Sequence, residues 1–284
     1  RSNDAHEDNP ALGLRGLRAL RASEDILREQ LTALANADTA TEADLWVMAP
    51  MVSTVEETDY FVTLAKEYGI KTAGVMVEVP SAALMADRVL EIADFASIGT
   101  NDLTQYTMAA DRLLGSVASF QDPWHPAVLR LIKATADGGK ANGKPVGICG
   151  EAAADPLLAV ALVGMGATTL SMAPTALADV RASLLQYDRA DAERIAAIKR
   201  AYRTLYVAGL PLAVRLCLQP QDDAACGLGF FFAATNHDAV MQRTKLHCRS
   251  LLIVVFIGRC SPGGFNKSGG AGCDSTSETR KSVW

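Results

Sequence analysis

The sequence predicts an α/β fold of (β/α)8 TIM-barrel type, incomplete, with about six of eight βα units and an irregular C-terminal tail. Three observations carry this expectation. Up to about residue 209, short apolar runs alternate with longer segments of helical period, the pattern of parallel strands joined by crossover helices. The apolar runs end in polar or reactive residues, namely Glu78, Asn101 with Asp102, and Cys149, and parallel sheets place their sites at the carboxyl ends of strands. Neither a GxGxxG fingerprint nor a Walker lysine motif is present, which weakens a nucleotide-binding doubly wound sheet and favours a barrel.

The elements read in order as follows. Leu12–Leu14 is a candidate strand near the start. Leu45–Met51 (LWVMAPM) is a strand, and Thr54–Tyr68 an amphipathic helix that Ser53 is placed to cap. Ala73–Val77 is the next strand and Ser81–Ile92 the next helix. Phe95–Ile98 is a strand followed by a polar GTND turn. Pro126–Ala141 is a helix with apolar residues at Val128, Leu129, Leu131, Ile132 and Ala136. Val146–Cys149 is a strand and Pro156–Val163 a helix; Thr168–Met172 is a strand and Ala176–Leu185 a helix. Asp188–Tyr206, rich in Ala, Arg and acidic residues, reads as one more helix. A closed barrel needs eight strands, so roughly two βα units are expected to be missing at the start.

Composition narrows the function classes. Of 284 residues, 49% are hydrophobic, enough for a sizeable core. A net charge of −5 argues against nucleic acid or a membrane surface as the main partner. Arg1 to Asn9 is polar and lacks the apolar stretch of a signal peptide. The longest apolar run, Leu251–Ile257, falls far short of the roughly 20 residues needed to span a bilayer. A cytoplasmic protein is expected.

The chain divides at about residue 209. Residues 1–209 read as the partial barrel domain, and residues 210–284 as an atypical tail. The tail holds 8 Lys and Arg against 5 Asp and Glu, whereas the preceding part holds 19 against 27. Helical periodicity fades there, and Gly, Ser and Thr crowd Ser261–Thr279. The tail reads as sequence not selected for a fold, such as an out-of-frame extension, with a small genuine appendage as the other reading. Five of the six cysteines (Cys217, Cys226, Cys248, Cys260, Cys273) lie in it without a CxxC pair, which speaks against zinc. A disulfide framework fits a cytosolic chain poorly.

Each candidate chemical residue also has an ordinary structural explanation. Glu78 closes the run Val75-Met76-Val77-Glu78, and a carboxylate there is costly to bury unless partnered, by a Lys or Arg or by a cation. Asp102, in Gly99-Thr100-Asn101-Asp102, suits a helix N-cap. Together, two carboxylates at adjacent strand ends suit Mg²⁺, which takes one or two carboxylates completed by substrate oxygens and water. Cys149, between Ile148 and Gly150, is either a small buried residue or, near a metal and cations, a proton-transfer group. Arg15 and Arg112 offer forked donors for phosphate or carboxylate. His125, in Pro123-Trp124-His125-Pro126, reads as a loop residue leading into a helix.

Several longer motifs then converge. Asn9–Arg15 (NPALGLR), Gly74–Ala82 (GVMVEVPSA), Ala96–Tyr106 (ASIGTNDLTQY), Asp111-Arg112, Asp122–Ile132 (DPWHPAVLRLI) and Gly147–Ala152 (GICGEA) together resemble Enzyme I, the phosphoenolpyruvate–protein phosphotransferase of the bacterial sugar phosphotransferase system. The likeness runs from about Asn9 to about Leu185, in family order. Pyruvate phosphate dikinase and phosphoenolpyruvate synthase share shorter versions of the GTNDLTQ and CGE motifs, but DPWHPAVLRLI and the AADR run look more like Enzyme I.

The resemblance implies a (β/α)8 barrel that binds phosphoenolpyruvate. It implies Glu78 and Asp102 as magnesium ligands and Asn101 as a contact to the substrate phosphate. Arg15 and Arg112 match arginines of the substrate pocket, and Cys149 the residue that protonates the enolate as pyruvate forms. It further implies a homodimer, and phosphoryl delivery to HPr for sugar uptake through a phosphohistidine domain whose Thr-Ser-His type motif is absent from this sequence. The expectation is therefore that the chain alone does not complete phosphotransfer. The alternatives are a dikinase or synthase fragment and a non-catalytic truncated product.

Overall fold

The computed structural model describes residues 7–206 and 254–258. The five apolar runs become β1 (Asp44–Ala49), β2 (Thr72–Val77), β3 (Ala96–Gly99), β4 (Val146–Cys149) and β5 (Thr169–Leu170). All four pairings among them are parallel and follow chain order. The order never reverses, so the sheet lacks the switch point of a doubly wound fold and runs one way, as a barrel wall does. The expected partial barrel is present as a five-stranded parallel half. A sixth strand, β6 (Val254–Gly258), pairs antiparallel with β1 along its outer edge. The rest of the tail lies outside the described residues.

Helices fill the connections. α1 (Gly16–Ala22) and α2 (Glu24–Ala40) precede the sheet, and α3 (Val55–Glu67) joins β1 to β2. α4 (Pro80–Leu84) and α5 (Ala86–Ile92) join β2 to β3; α6 (Thr100–Met108) and α7 (Pro126–Asn142) join β3 to β4. α8 (Glu151–Ala154) and α9 (Pro156–Met165) lead to β5, and α10 (Leu177–Leu184) and α11 (Arg189–Tyr206) follow it.

Strand alternation divides the sheet into two faces. Val47, Ala49, Val75, Val77, Ala96, Ile98, Val146 and Ile148 belong to the main core with buried helix residues such as Phe61, Leu129 and Leu162. Met48, Met76 and Phe95 form a smaller cluster with Trp46 and Cys149.

Several local expectations change. Leu12–Leu14 is not a strand: Pro10–Leu12 is a single 3-10 turn, and Leu12 and Leu14 are exposed. Pro10 sets φ and begins the turn, and without a sheet partner three apolar residues have no reason to extend. The helix expected over Ser81–Ile92 is broken at Met85 into α4 and α5. The cap of α3 is Thr54, not Ser53: Thr54 Oγ1 accepts from Glu57 N, and Ser53 N donates to Glu57 Oε2 at 2.7 Å. The GTND segment is the first turn of α6 rather than a free turn. α1 and α2 were not anticipated, although Leu17, Leu20, Leu27 and Leu31, all buried, recur at helical spacing within each.

Candidate functional site

Register builds the site. Gly99 pairs with Cys149 at the ends of β3 and β4, and Val77 pairs with Ile98 one step earlier. Glu78, one residue past β2, therefore falls level with Gly99 and Cys149 and points to the same side as Met76, Ser97 and Gly147. A Cβ on Gly99 would lie 2.5 Å from Glu78 Oε2. The glycine is what admits the carboxylate.

Glu78 is 5% exposed. Its Oε1 accepts the Met51 amide at 2.7 Å. Met51 sits in the left-handed region at φ 55, uncommon and strained for a residue with a Cβ. Gly16, also left-handed at φ 53, packs against it: a Cβ there would meet Met51 Cβ at 2.4 Å. Leu17 N donates to Pro50 O at 3.1 Å, so the segment carrying Arg15 docks on the loop after β1. Nothing in sequence singles out Met51, because its contribution is a backbone amide aimed by an unusual φ. Burial first, then the charge of Asp102, push the Glu78 carboxyl up to about 7; the Met51 amide, Arg15 and Arg112 pull the other way.

Asp102 lies in the first turn of α6. Its Oδ1 is buried without a hydrogen-bond partner among the described residues and stands 3.7 Å from Arg112 Nε. Such an oxygen is costly to leave unmatched. Thr100 Oγ1 donates to Cys149 O at 2.9 Å, and Glu151 N donates to Asn101 Oδ1 at 3.2 Å, which ties the start of α6 to the loop after β4. Gly150 makes this closeness feasible: it has φ 94, and a Cβ there would lie 2.7 Å from Thr100 Oγ1.

The Cys149 thiol points toward the Ile98 carbonyl at 3.4 Å. Burial pushes it up, with Ser97 beside it pulling down and the charges of Glu78 and Asp102 raising it further. Ser97 Oγ is itself buried without a full hydrogen bond to any of the described residues. A thiol so placed stays protonated at neutral pH, which suits a proton donor better than a nucleophile. His125 caps α7, its Nδ1 accepting from Ala127 N at 3.2 Å, as the loop reading expected.

The structure thus gathers Glu78, Asn101, Asp102 and Cys149 at adjoining strand ends, with Arg112 approaching Asp102 from the loop after α6 and Arg15 close enough for its charge to act on Glu78. Among the described residues no group of three or more His, Cys, Asp or Glu is placed to hold a metal ion. The donor set fits a hard cation that needs only two carboxylates: Asp102 offers an unmatched buried oxygen, and Glu78 Oε2 faces a glycine.

Fold and site together define a parallel α/β protein with two acids and a thiol at or just past adjacent strand ends, and with Arg112 beside them from the loop after α6. The chain belongs to the family of the PEP-utilising enzyme, PEP-binding domain, which matches residues 2–189. It is 53% identical over 196 residues to a phosphoenolpyruvate-protein phosphotransferase of Streptomyces coelicolor, covering 69% of this chain and 35% of that one. It is 39% identical over 199 residues to the protein of that name in Bacillus subtilis, covering 66% and 35%. A multiphosphoryl transfer protein of Xanthomonas campestris is 43% identical over 185 residues, covering 63% and 22%. The chain thus spans about a third or less of the length of these relatives. Among solved structures, a citrate lyase of Burkholderia xenovorans aligns over 61% of this chain and 68% of its own with a TM-score of 0.38 and 16% identity, too slight a likeness to argue from. No helix among the described residues is long and apolar enough to cross a membrane.

Proposed function

We propose that this chain carries the phosphoenolpyruvate site of a phosphoenolpyruvate–protein phosphotransferase of the Enzyme I type. One observation carries the reading: a buried carboxylate, Glu78, and a partly buried one, Asp102, whose Oδ1 is buried without a hydrogen-bond partner among the described residues, lie beside a protonated thiol and within reach of two arginine charges. Glu78 and Asp102 would hold Mg²⁺, which when bound neutralises charge on the phosphoryl group and on the developing enolate. Arg15 and Arg112 bind the phosphate and carboxylate of the substrate, and Asn101 orients the phosphate. As the bond between the enol oxygen and phosphorus breaks, the enolate carbon takes the proton of Cys149 Sγ–H. Pyruvate leaves, and the thiolate recovers its proton from water. Burial keeps the thiol loaded for that step.

In the whole protein the phosphoryl group passes to a histidine and on to HPr, for sugar uptake in the cytoplasm, and the barrel domain pairs as a homodimer. The substrate site is assigned to residues 1–209, to whose sheet Val254–Gly258 add the antiparallel edge strand β6. Among the described residues the one histidine, His125, is engaged as a helix cap. Residues 1–284 contain no Thr-Ser-His motif, so by themselves they are expected not to phosphorylate HPr, and Cys149-dependent transfer from labelled phosphoenolpyruvate would overturn this.

The test of the site is isothermal titration of the chain with phosphoenolpyruvate and Mg²⁺. Heat that vanishes in Glu78→Gln and Asp102→Asn is expected. No heat from the unmodified chain, or heat unchanged in both variants, would overturn the reading.

A further inference from the structure

The substrate reading uses Asp102 but leaves the other residues of its face of α6 unexplained. Asp102, Gln105 and Tyr106 stand three and four residues apart and so share that face. Gln105 is 5% exposed, and its Oε1 accepts the Arg112 amide at 2.9 Å. The chain returns to that amide because Ala109 ends α6 in the left-handed region at φ 50, and Ala110 N closes on Gln105 O at 3.1 Å. Gln121 Nε2 donates to Ala110 O at 2.6 Å, which pins the same turn from outside. Tyr106 donates its hydroxyl to the Ala11 carbonyl, in the turn that precedes Arg15. The two bonds leave α6 in different directions, one toward each arginine-bearing segment.

We infer that Gln105 and Tyr106 are positioning residues: Gln105 sets Arg112 and Tyr106 sets Arg15 on either side of Asp102, so that a single helix face fixes the arginine spacing of the anion pocket. This rests on the substrate reading above. Neither side chain touches the substrate. A guanidinium ends a long flexible side chain, and its forked donors match an anion only if the backbone that carries it is held. Arg112 is exposed, and among the described residues its side chain is tied by the 3.7 Å approach to Asp102 alone, so the hydrogen bond from its amide to Gln105 is the stronger constraint on its loop.

The test measures phosphoenolpyruvate affinity calorimetrically on the full 284-residue chain with saturating Mg²⁺, alongside Mn²⁺ binding followed by electron paramagnetic resonance. Gln105→Met keeps the volume and removes the acceptor; it is expected to weaken phosphoenolpyruvate about tenfold while leaving Mn²⁺ affinity within twofold. Gln105→Glu, which keeps an acceptor, is expected to restore most of that loss. In an Arg112→Ala background Gln105→Met should cost nothing further, and in an Arg15→Ala background Tyr106→Phe should cost nothing further, because each positioning residue acts through its arginine.

Additive losses in both cycles would overturn the inference, as would an unchanged affinity in Gln105→Met where Arg112→Ala weakens binding. If Arg112→Ala itself leaves affinity unchanged, or the unmodified chain binds nothing, the substrate reading fails and takes the inference with it. Exchange of the Arg112 amide with deuterium reads the geometry without substrate. Protection lost in Gln105→Met and kept in Gln105→Glu is expected; equal protection in all three chains would overturn the positioning role even where a variant is less stable.

Discussion

A carboxyl at the end of an apolar strand carries a measurable signature in Glu78. Its folded pKa, about 7, lies above the ordinary 4.5 because burial and Asp102 disfavour the anion. Folding then favours the protonated form. In chelator-treated protein this contribution is fully present below pH 4.5 and is lost as pH rises through about 7, amounting to about 3 kcal/mol. Urea unfolding at pH 5 and pH 8 should show that loss in the unmodified chain and not in Glu78→Gln; parallel pH dependence in both would show that Glu78 is not the titrating group. Gly99 tests the same residue from the other side. Gly99→Ala drives a methyl into Glu78 Oε2. The flexible carboxylate end is expected to swing away, so Mn²⁺ affinity should drop at least tenfold, by loss of one ligand position. The unfolding midpoint should fall as well, because the methyl also crowds Glu78 Cβ at 3.0 Å, and retained Mn²⁺ binding would show that Oε2 is not a donor. Glu78, Asp102 and Cys149 were legible in sequence because each is a reactive residue closing an apolar run. Met51 was not, since a backbone amide aimed by a positive φ leaves no side-chain signal.

At the scale of elements, ends decide more than middles. α3 shows how close a sequence reading comes and where it slips. Ser53 and Thr54 are both good caps, and only the geometry shows that Thr54 takes Glu57 N while Glu57 reaches back to Ser53 N. Thr54→Ala is expected to cost about 1 kcal/mol in thermal or urea unfolding, and Ser53→Ala much less, because the Ser53 contribution to the cap is a main-chain amide. The reverse order would restore Ser53 as the cap. The GTND segment is subtler. Polar residues after a strand suggest a turn, yet Leu103 and Thr104 are buried and the segment is helical from Thr100. Packing of α6 against the loop after β4, through Thr100 and Asn101, overrides the turn-like composition. Met85 breaks a run that is otherwise periodic from Ser81 to Ile92, and no local sequence signal announces the break.

For the molecule as a whole, strand order is the main result. Five parallel strands in chain order bring the ends of β2, β3 and β4 side by side, and a doubly wound order would not line them up in one direction. The outer edge of β1 is covered by β6, an antiparallel strand drawn from the tail. An uncovered edge offers unpaired amides and carbonyls to other chains. A chain ending at Tyr206 is therefore expected to keep its circular dichroism and any phosphoenolpyruvate heat, yet to associate more strongly in sedimentation velocity. Loss of the folded signal on this truncation would instead make the tail part of the substrate-binding domain.

By itself the sequence determined the α/β class, the five strands, the phosphoenolpyruvate-utilising family, and the acids and thiol at the strand ends. Periodicity and motif are local properties, written in neighbouring residues. Only the tertiary structure decided that Gly99 makes room for Glu78, that a left-handed Met51 hydrogen-bonds it, and that Gly150 lets two loops meet. Those facts depend on distances between residues 21 to 50 positions apart in the chain, which no pattern of neighbours encodes.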